Sequence, residues 1–106
     1  MTTKRLNFRE YWDAVGTENI KKIIDEIGSS MGHFRALRYG IKKPGRAQAL
    51  KILEAARKHT APYEPDLELL LQGVPRAGLG PSRAIAPSPE YLKARAEMEK
   101  SKTTAE

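Results

Sequence analysis

The residues best placed to do chemistry in this chain are cations. Between Glu26 and Glu54 there is no acidic residue, while Arg35, Arg38, Lys42, Lys43, Arg46 and Lys51 all fall in that interval with His33 beside them. A solvated face ordinarily mixes both signs, so a one-sign run through patterned sequence points toward a polyanionic surface; the plain alternative is a basic face that only keeps the protein soluble. Guanidinium groups donate paired, coplanar hydrogen bonds to planar acceptors, and ammonium groups act on phosphate as point charges. The charge balance agrees. The 106 residues carry 19 Lys plus Arg against 13 Asp plus Glu, net +6. Residues 1–62 hold 13 and 6 of these, and residues 63–106 hold 6 and 7, so the whole excess lies in the first part. Such a field concentrates an anionic partner and speeds its capture.

Other chemistries find little material. Cysteine is absent, which removes disulfides, thiolate zinc sites and cysteine nucleophiles together. His33 and His59 stand 26 positions apart without ligand-like neighbours, so no metal site is expected. The run Gly78-Leu79-Gly80-Pro81-Ser82 lacks the lysine and the strand-to-helix setting of a phosphate loop, and no Ser–His–carboxylate grouping arises from spacing. No enzyme activity and no cofactor are expected. Phe8, Tyr11 and Trp12 read as core rather than as stacking platforms for bases. No stretch approaches the roughly 18 apolar residues that a membrane span needs, and the basic start at Lys4-Arg5 has no apolar region behind it. The expectation is a soluble, cytoplasmic protein.

The elements that must hold these cations are helical. Asn7 to Glu10 fits a capping box, followed by Phe8, Tyr11, Trp12 and Val15 at i, i+3, i+4 and i+7. Gly16 ends this helix, and Thr17 is expected to cap the next, whose apolar face is Ile20, Ile23, Ile24 and Ile27. Gly28 suits a left-handed cap, and Ser29-Ser30 offer N-caps for a segment from Met31 to Tyr39 with Met31, Phe34 and Leu37 on one side. Gly40 closes it. Pro44 stands where a first helical turn tolerates proline, and Ala47, Leu50, Leu53 and Ala56 or Arg57 predict a helix reaching about His59. Pro62 and Pro65 interrupt; Asp66 caps a short run from Leu67 to Gln72, stopped by Gly73. The breakers between Val74 and Ser88 read as a linker, and Ser88-Pro89-Glu90 as the start of a sparse, marginal helix. The expected organisation is an all-α domain over residues 6–73, a linker over 74–88, a C-terminal helix over 89–101, and flexible termini at 1–5 and 102–106.

Two short helices joined at a turn glycine, the second with basic residues on its polar side, follow the logic of a helix-turn-helix. The first braces, and the second suits a major groove about 12 Å wide. The run from Ile20 to Tyr39, then Gly40, Pro44, Ala47 and the stretch Leu53-Glu54-Ala55-Ala56, resembles the Cro and phage-repressor helix-turn-helix family; small antitoxin-like regulators of the YdaS type are similar. The resemblance spans about residues 17–58. It differs in having Ser29 where the family favours Val, Ile24 where it favours a small residue, and Gly32 inside the recognition helix.

That resemblance implies a lambda-repressor-like core of four or five short helices, sequence-specific binding of double-stranded DNA, and transcriptional control in a phage, plasmid or bacterium, on the nucleoid. It also implies a homodimer on a palindromic operator, with Leu67 to Leu71 or the C-terminal helix as candidate contacts. Arg35 is the expected base reader, through guanine O6 and N7, with a phosphate contact as the alternative. Ser30, Met31, Gly32, His33, Ala36 and Tyr39 are the other groove-facing candidates; Met31 reads equally as core, and Gly32 either lets the backbone approach a base edge or phosphate or is a weak first turn. Arg38, Lys42, Lys43 and Arg46 are expected on phosphates. Two alternatives stand beside this: an antitoxin or anti-regulator gripping a protein partner through Ser82 to Glu106, and an architectural protein that bends DNA with little sequence preference.

Overall fold

The computed structural model describes residues 5–75 and 84–104, with the backbone alone from Lys100 onward. Six helices and no strand occur among the described residues: α1 (Phe8–Val15), α2 (Thr17–Ile27), α3 (Met31–Arg38), α4 (Arg46–His59), α5 (Leu67–Gln72) and α6 (Pro89–Thr104). No helix among them is long and apolar enough to cross a membrane.

The local signals act largely as the sequence suggests. Asn7 Oδ1 accepts from the Glu10 amide at 2.8 Å while Glu10 Oε1 accepts from the Asn7 amide at 3.1 Å, so α1 begins with a complete capping box. Its face of Phe8, Tyr11, Trp12 and Val15 is buried. Gly28 closes α2 in the left-handed region at φ 71°, ψ 34°, a conformation that costs a side-chain-bearing residue energy. Ser30 Oγ then accepts from the His33 amide at 3.2 Å to start α3, which buries Phe34 and Leu37. Asp66 caps α5 through the Leu69 amide at 3.1 Å.

Four expectations are corrected. Thr17 does not cap α2. Gly16, at φ 88°, takes the cap position, and the Thr17 side chain turns inward, where Oγ1 accepts from Trp12 Nε1 at 3.1 Å and from the Ile85 amide at 2.8 Å. Pro44 lies before the first turn of α4, whose N-cap is Gly45. The buried face of α4 is Ala49, Ile52, Leu53, Ala55 and Ala56, whereas Ala47 and Leu50 face solvent. Two apolar stripes compete on that helix, and the alanine-rich one wins because small side chains admit the close approach of α2, against which α4 packs. The fourth concerns the C-terminal part. Val74 is buried, and Thr17 N–H donates to Ile85 O at 2.9 Å while Ser88 N–H donates to Ala14 O at 2.8 Å, so residues 84–88 form a strap across the α1–α2 junction rather than a free spacer. The glycine-rich run at 78–82 lies outside the described residues.

The strap delivers α6 to the body. Ser88 Oγ caps it at the Tyr91 amide, 3.1 Å away. Tyr91 is buried edge-on against Tyr63 with ring centroids 5.3 Å apart, and the Arg95 guanidinium donates to Ala61 O at 2.8 Å. At the other end Arg5, expected in a flexible terminus, pairs with Asp66 at 3.0 Å and Glu68 at 2.9 Å.

Buried polar groups are satisfied. The Tyr11 hydroxyl donates to Thr60 Oγ1 at 2.5 Å, and Thr60 Oγ1 lies 2.9 Å from both Ala56 O and Tyr63 O. Burial keeps the Tyr11 phenol protonated well above the ordinary range. Between α2 and α4, the Glu26 carboxylate lies 3.2 Å from both His59 Nε2 and Lys58 Nζ, and these hydrogen bonds, His59 first, hold its pKa below the usual 4.5.

Two tests follow from these contacts. Thr17→Val leaves the Trp12 and Ile85 donors unpaired and is expected to cost about 1–3 kcal/mol, read from urea unfolding, while Thr17→Ser keeps most of the stability. Because the folded-state pKa of Glu26 is depressed, its contribution is present above pH 4.5 and is lost as pH falls through the folded value. The wild-type urea midpoint should therefore drop more steeply below pH 4.5 than that of Glu26→Gln; superimposable profiles would show the cluster to be energetically silent.

Candidate functional site

The candidate surface is built by α3, the loop of residues 39–45 and the first turn of α4. Its orientation is set from the core outward. Phe34 stacks edge-on with Phe8, centroids 5.4 Å apart at 77°, and Phe8 packs likewise on Trp12 at 5.9 Å and 88°. With Phe34 and Leu37 fully inside, successive helical residues turn by about 100°, which carries Arg35 out into solvent. Arg35 makes no ion pair or hydrogen bond through its side chain among the described residues.

After Gly40, which sits at φ 76°, the chain folds back on α3. The amides of Ile41 and Lys42 both donate to Ala36 O, at 3.0 and 3.3 Å. This places the backbone of Lys42 against the last turn of α3, next to the residue that follows Arg35. His33 Nε2 meets Gln48 Oε1 at 2.8 Å, tying the first turn of α3 to that of α4, where Arg46 is the first residue. Lys43 is positioned by packing: a Cβ built on Gly73 would fall 2.9 Å from its Cγ, so the methylene stem lies across that glycine. Lys42, Lys43 and Arg46 are exposed, and none makes an ion pair among the described residues. Neither α3 nor α4 carries an acidic residue in its first turn, and α4 has no side-chain cap.

The eleven site residues predicted from sequence thus divide. Gly32, Arg35, Lys42, Lys43 and Arg46 are exposed, on α3, the loop that follows it and the first turn of α4. Ser30 is exposed, with its hydroxyl engaged as the α3 cap. Ala36 and Tyr39 are half-buried on the flanks, and His33 is half-buried with one ring nitrogen committed to Gln48. Two are corrected. Met31 packs against the core cluster, because it shares a side with Phe34 one turn on. Arg38 is drawn back to α1, where its Nη1 lies 2.7 Å from Asp13 Oδ1 and its guanidinium carbon 5.3 Å from the Trp12 ring centroid. With its side chain only 16% exposed, Arg38 joins α3 to α1 and does not extend toward a phosphate.

Gln48 and Arg9 escaped the sequence reading. Arg9 Nε donates to Arg38 O at 3.2 Å and Nη2 to Pro75 O at 2.6 Å, closing the C-terminal end of α3. Its partners lie 29 and 66 residues away, so no local pattern announces it. Among the described residues no group of three His, Cys, Asp or Glu side chains converges to hold a metal. Comparison of the chain with protein-family models, curated proteins and solved structures gives no match.

The two arginines of α3 should separate in a stability measurement. Arg38→Ala removes an ion pair, a cation–ring contact and buried stem packing, and is expected to lower stability by about 1–2 kcal/mol. Arg35→Ala should stay within about 0.5 kcal/mol of wild type. Equal urea midpoints for the two variants would refute the division of roles.

Proposed function

We propose that this protein is a sequence-specific, double-stranded-DNA-binding transcriptional regulator of the Cro/repressor-like helix-turn-helix kind, with α2 as the brace and α3 as the recognition helix. The observation that carries the reading is the coincidence of two features. The bend at Gly28 and the inward pair Phe34 and Leu37 hold α3 on the outside of the fold, and the exposed cations Arg35, Lys42, Lys43 and Arg46 make no side-chain hydrogen bond or ion pair among the described residues. A one-sign set of exposed cations projects a field that concentrates an anionic partner and speeds its capture.

In this reading α3 enters the major groove, and Arg35 donates two hydrogen bonds to guanine O6 and N7. Lys42 and Lys43 on the loop and Arg46 at the start of α4 meet phosphates, whose charge the free amides of that first turn also favour. With Arg38 withdrawn, three or four phosphate contacts remain, and the log–log salt slope is about −3 per protomer. A second copy is the natural partner, since one module of this size gains specificity by pairing half-sites a helical turn apart. Leu67, Leu70 and Leu71 pack in or against the core while Leu69 does not, and α6, where Leu92 is 53% exposed, is the favoured candidate for the dimer contact. The same exposed leucine is what favours the second reading, an antitoxin-like module holding a protein partner through α6.

Selection from a random duplex pool, with sequencing of the bound fraction across a salt series, tests the proposal. Enrichment of a palindrome with a slope near −3 per protomer, about −6 for the bound dimer, is the expected result. Binding without any enriched sequence would favour an architectural role, and no binding at low salt would end the DNA reading. On the enriched duplex, Arg35→Ala should relax preference at one base pair at a cost of about 1–3 kcal/mol. Lys43→Ala should weaken all sequences alike and reduce the slope by about 1.

A further inference from the structure

Most glycines of the described chain are explained by their backbone. Gly16, Gly28, Gly40 and Gly73 all lie at positive φ, between 71° and 88°, where a side chain is disfavoured. Gly32 and Gly45 do not. Gly32 is the second residue of α3 and is not at positive φ, and Gly45 sits at φ −70°, ψ 165°. A Cβ built at either position meets nothing within 4 Å. Glycine is also the poorer choice at both. In a helix it costs about as much as any residue but proline, and at an N-cap Ser, Thr, Asp or Asn would supply the hydrogen bond that α4 lacks. Both glycines are exposed, both fall in the interval that holds no acidic residue, and Gly32 lies one turn before Arg35 on α3.

Resting on the DNA reading above, we propose that Gly32 is a specificity-determining residue: its missing side chain lets the outer surface of α3 seat against the base edges of the major groove, at a distance a methyl group would prevent. Arg35, one turn on, then reaches its base at hydrogen-bonding range, whereas an added Cβ at position 32 holds the helix away and lengthens that contact. Gly45 has the corresponding place at the backbone wall, where a larger residue would obstruct contact without changing base preference.

The test pits stability against binding, two readouts that a purely internal role would move together. In the full chain, Gly32→Ala should raise the thermal midpoint by up to about 4 °C, less than relief of a mid-helix glycine would give, because position 32 lies in the first turn of α3. Its affinity for the duplex enriched by the wild type should fall at least tenfold, with a much smaller loss on the random pool. Gly45→Ser should likewise raise the midpoint, through a new helix cap, and weaken enriched and random duplexes to the same degree. Wild-type affinity in Gly32→Ala, an equal loss on both duplexes, or a loss accompanied by a lowered midpoint would each overturn the proposal while leaving the DNA reading intact. Failure of the wild type to bind duplex at all would remove that reading and this one together.

Discussion

The burial of Phe34 against Phe8 is the contact on which the candidate surface depends. An α-helix has one rotational freedom about its axis once its position is fixed, and a large aromatic ring locked edge-on into an aromatic cluster removes it. With Phe34 inside and Leu37 one turn further on inside as well, the outward direction of Arg35 is a matter of helical arithmetic. Everything else near the surface reinforces that rotation. The cap at Ser30 fixes where the helix starts, Arg9 and Arg38 fix its far end to α1, and the His33–Gln48 bond fixes its first turn to α4. The surface is rigid because the groups that present it are themselves held.

The distribution of charge has the same origin. Outside the surface several cations are paired, Arg5 with Asp66 and Glu68, Arg57 with Glu64, and Lys58 and His59 with Glu26, whereas the exposed Lys22, Lys51 and Lys93 have no ion pair among the described residues. These pairs are solvent-exposed, and each contributes little to stability. They offset part of the positive charge that lies away from Arg35, Lys42, Lys43 and Arg46. Asp13 takes Arg38 out of the set. A single carboxylate on a neighbouring helix is enough to turn a cation from an outward-reaching group into a joint.

The C-terminal part illustrates how little a composition argument says about position. Residues 84–88 belong to no helix, yet they make directional hydrogen bonds to Ala14 and Thr17. Gly16 explains why this crossing is possible: a Cβ there would stand 2.8 Å from Pro87 N and 3.0 Å from Ile85 O. One residue thus ends α1 and makes room for a strand of chain arriving from nearly seventy residues away. Through that strap α6 is joined to the α1–α2 junction, and Tyr91 becomes part of the core.

What the sequence by itself determined is what depends on neighbours within about four residues. Helix starts at Asn7, Ser30, Asp66 and Ser88 are local hydrogen bonds; stops at Gly16, Gly28 and Gly73 are local backbone conformations; and the buried faces of α1, α2 and α3 are the periodicity of large apolar residues. The acid-free interval around the cations is likewise written in the chain. Tertiary structure alone decided the matters that turn on distant partners. It chose between two apolar stripes on α4, because only the approach of α2 makes small residues preferable to Leu50. It withdrew Arg38, because Asp13 and Trp12 are neighbours only after α1 and α3 pack. It turned Thr17 from a presumed cap into an internal acceptor, because the Ile85 amide reaches it only once the strap has crossed. In each case the local pattern allowed more than one outcome of similar energy, and a contact from far along the chain selected among them.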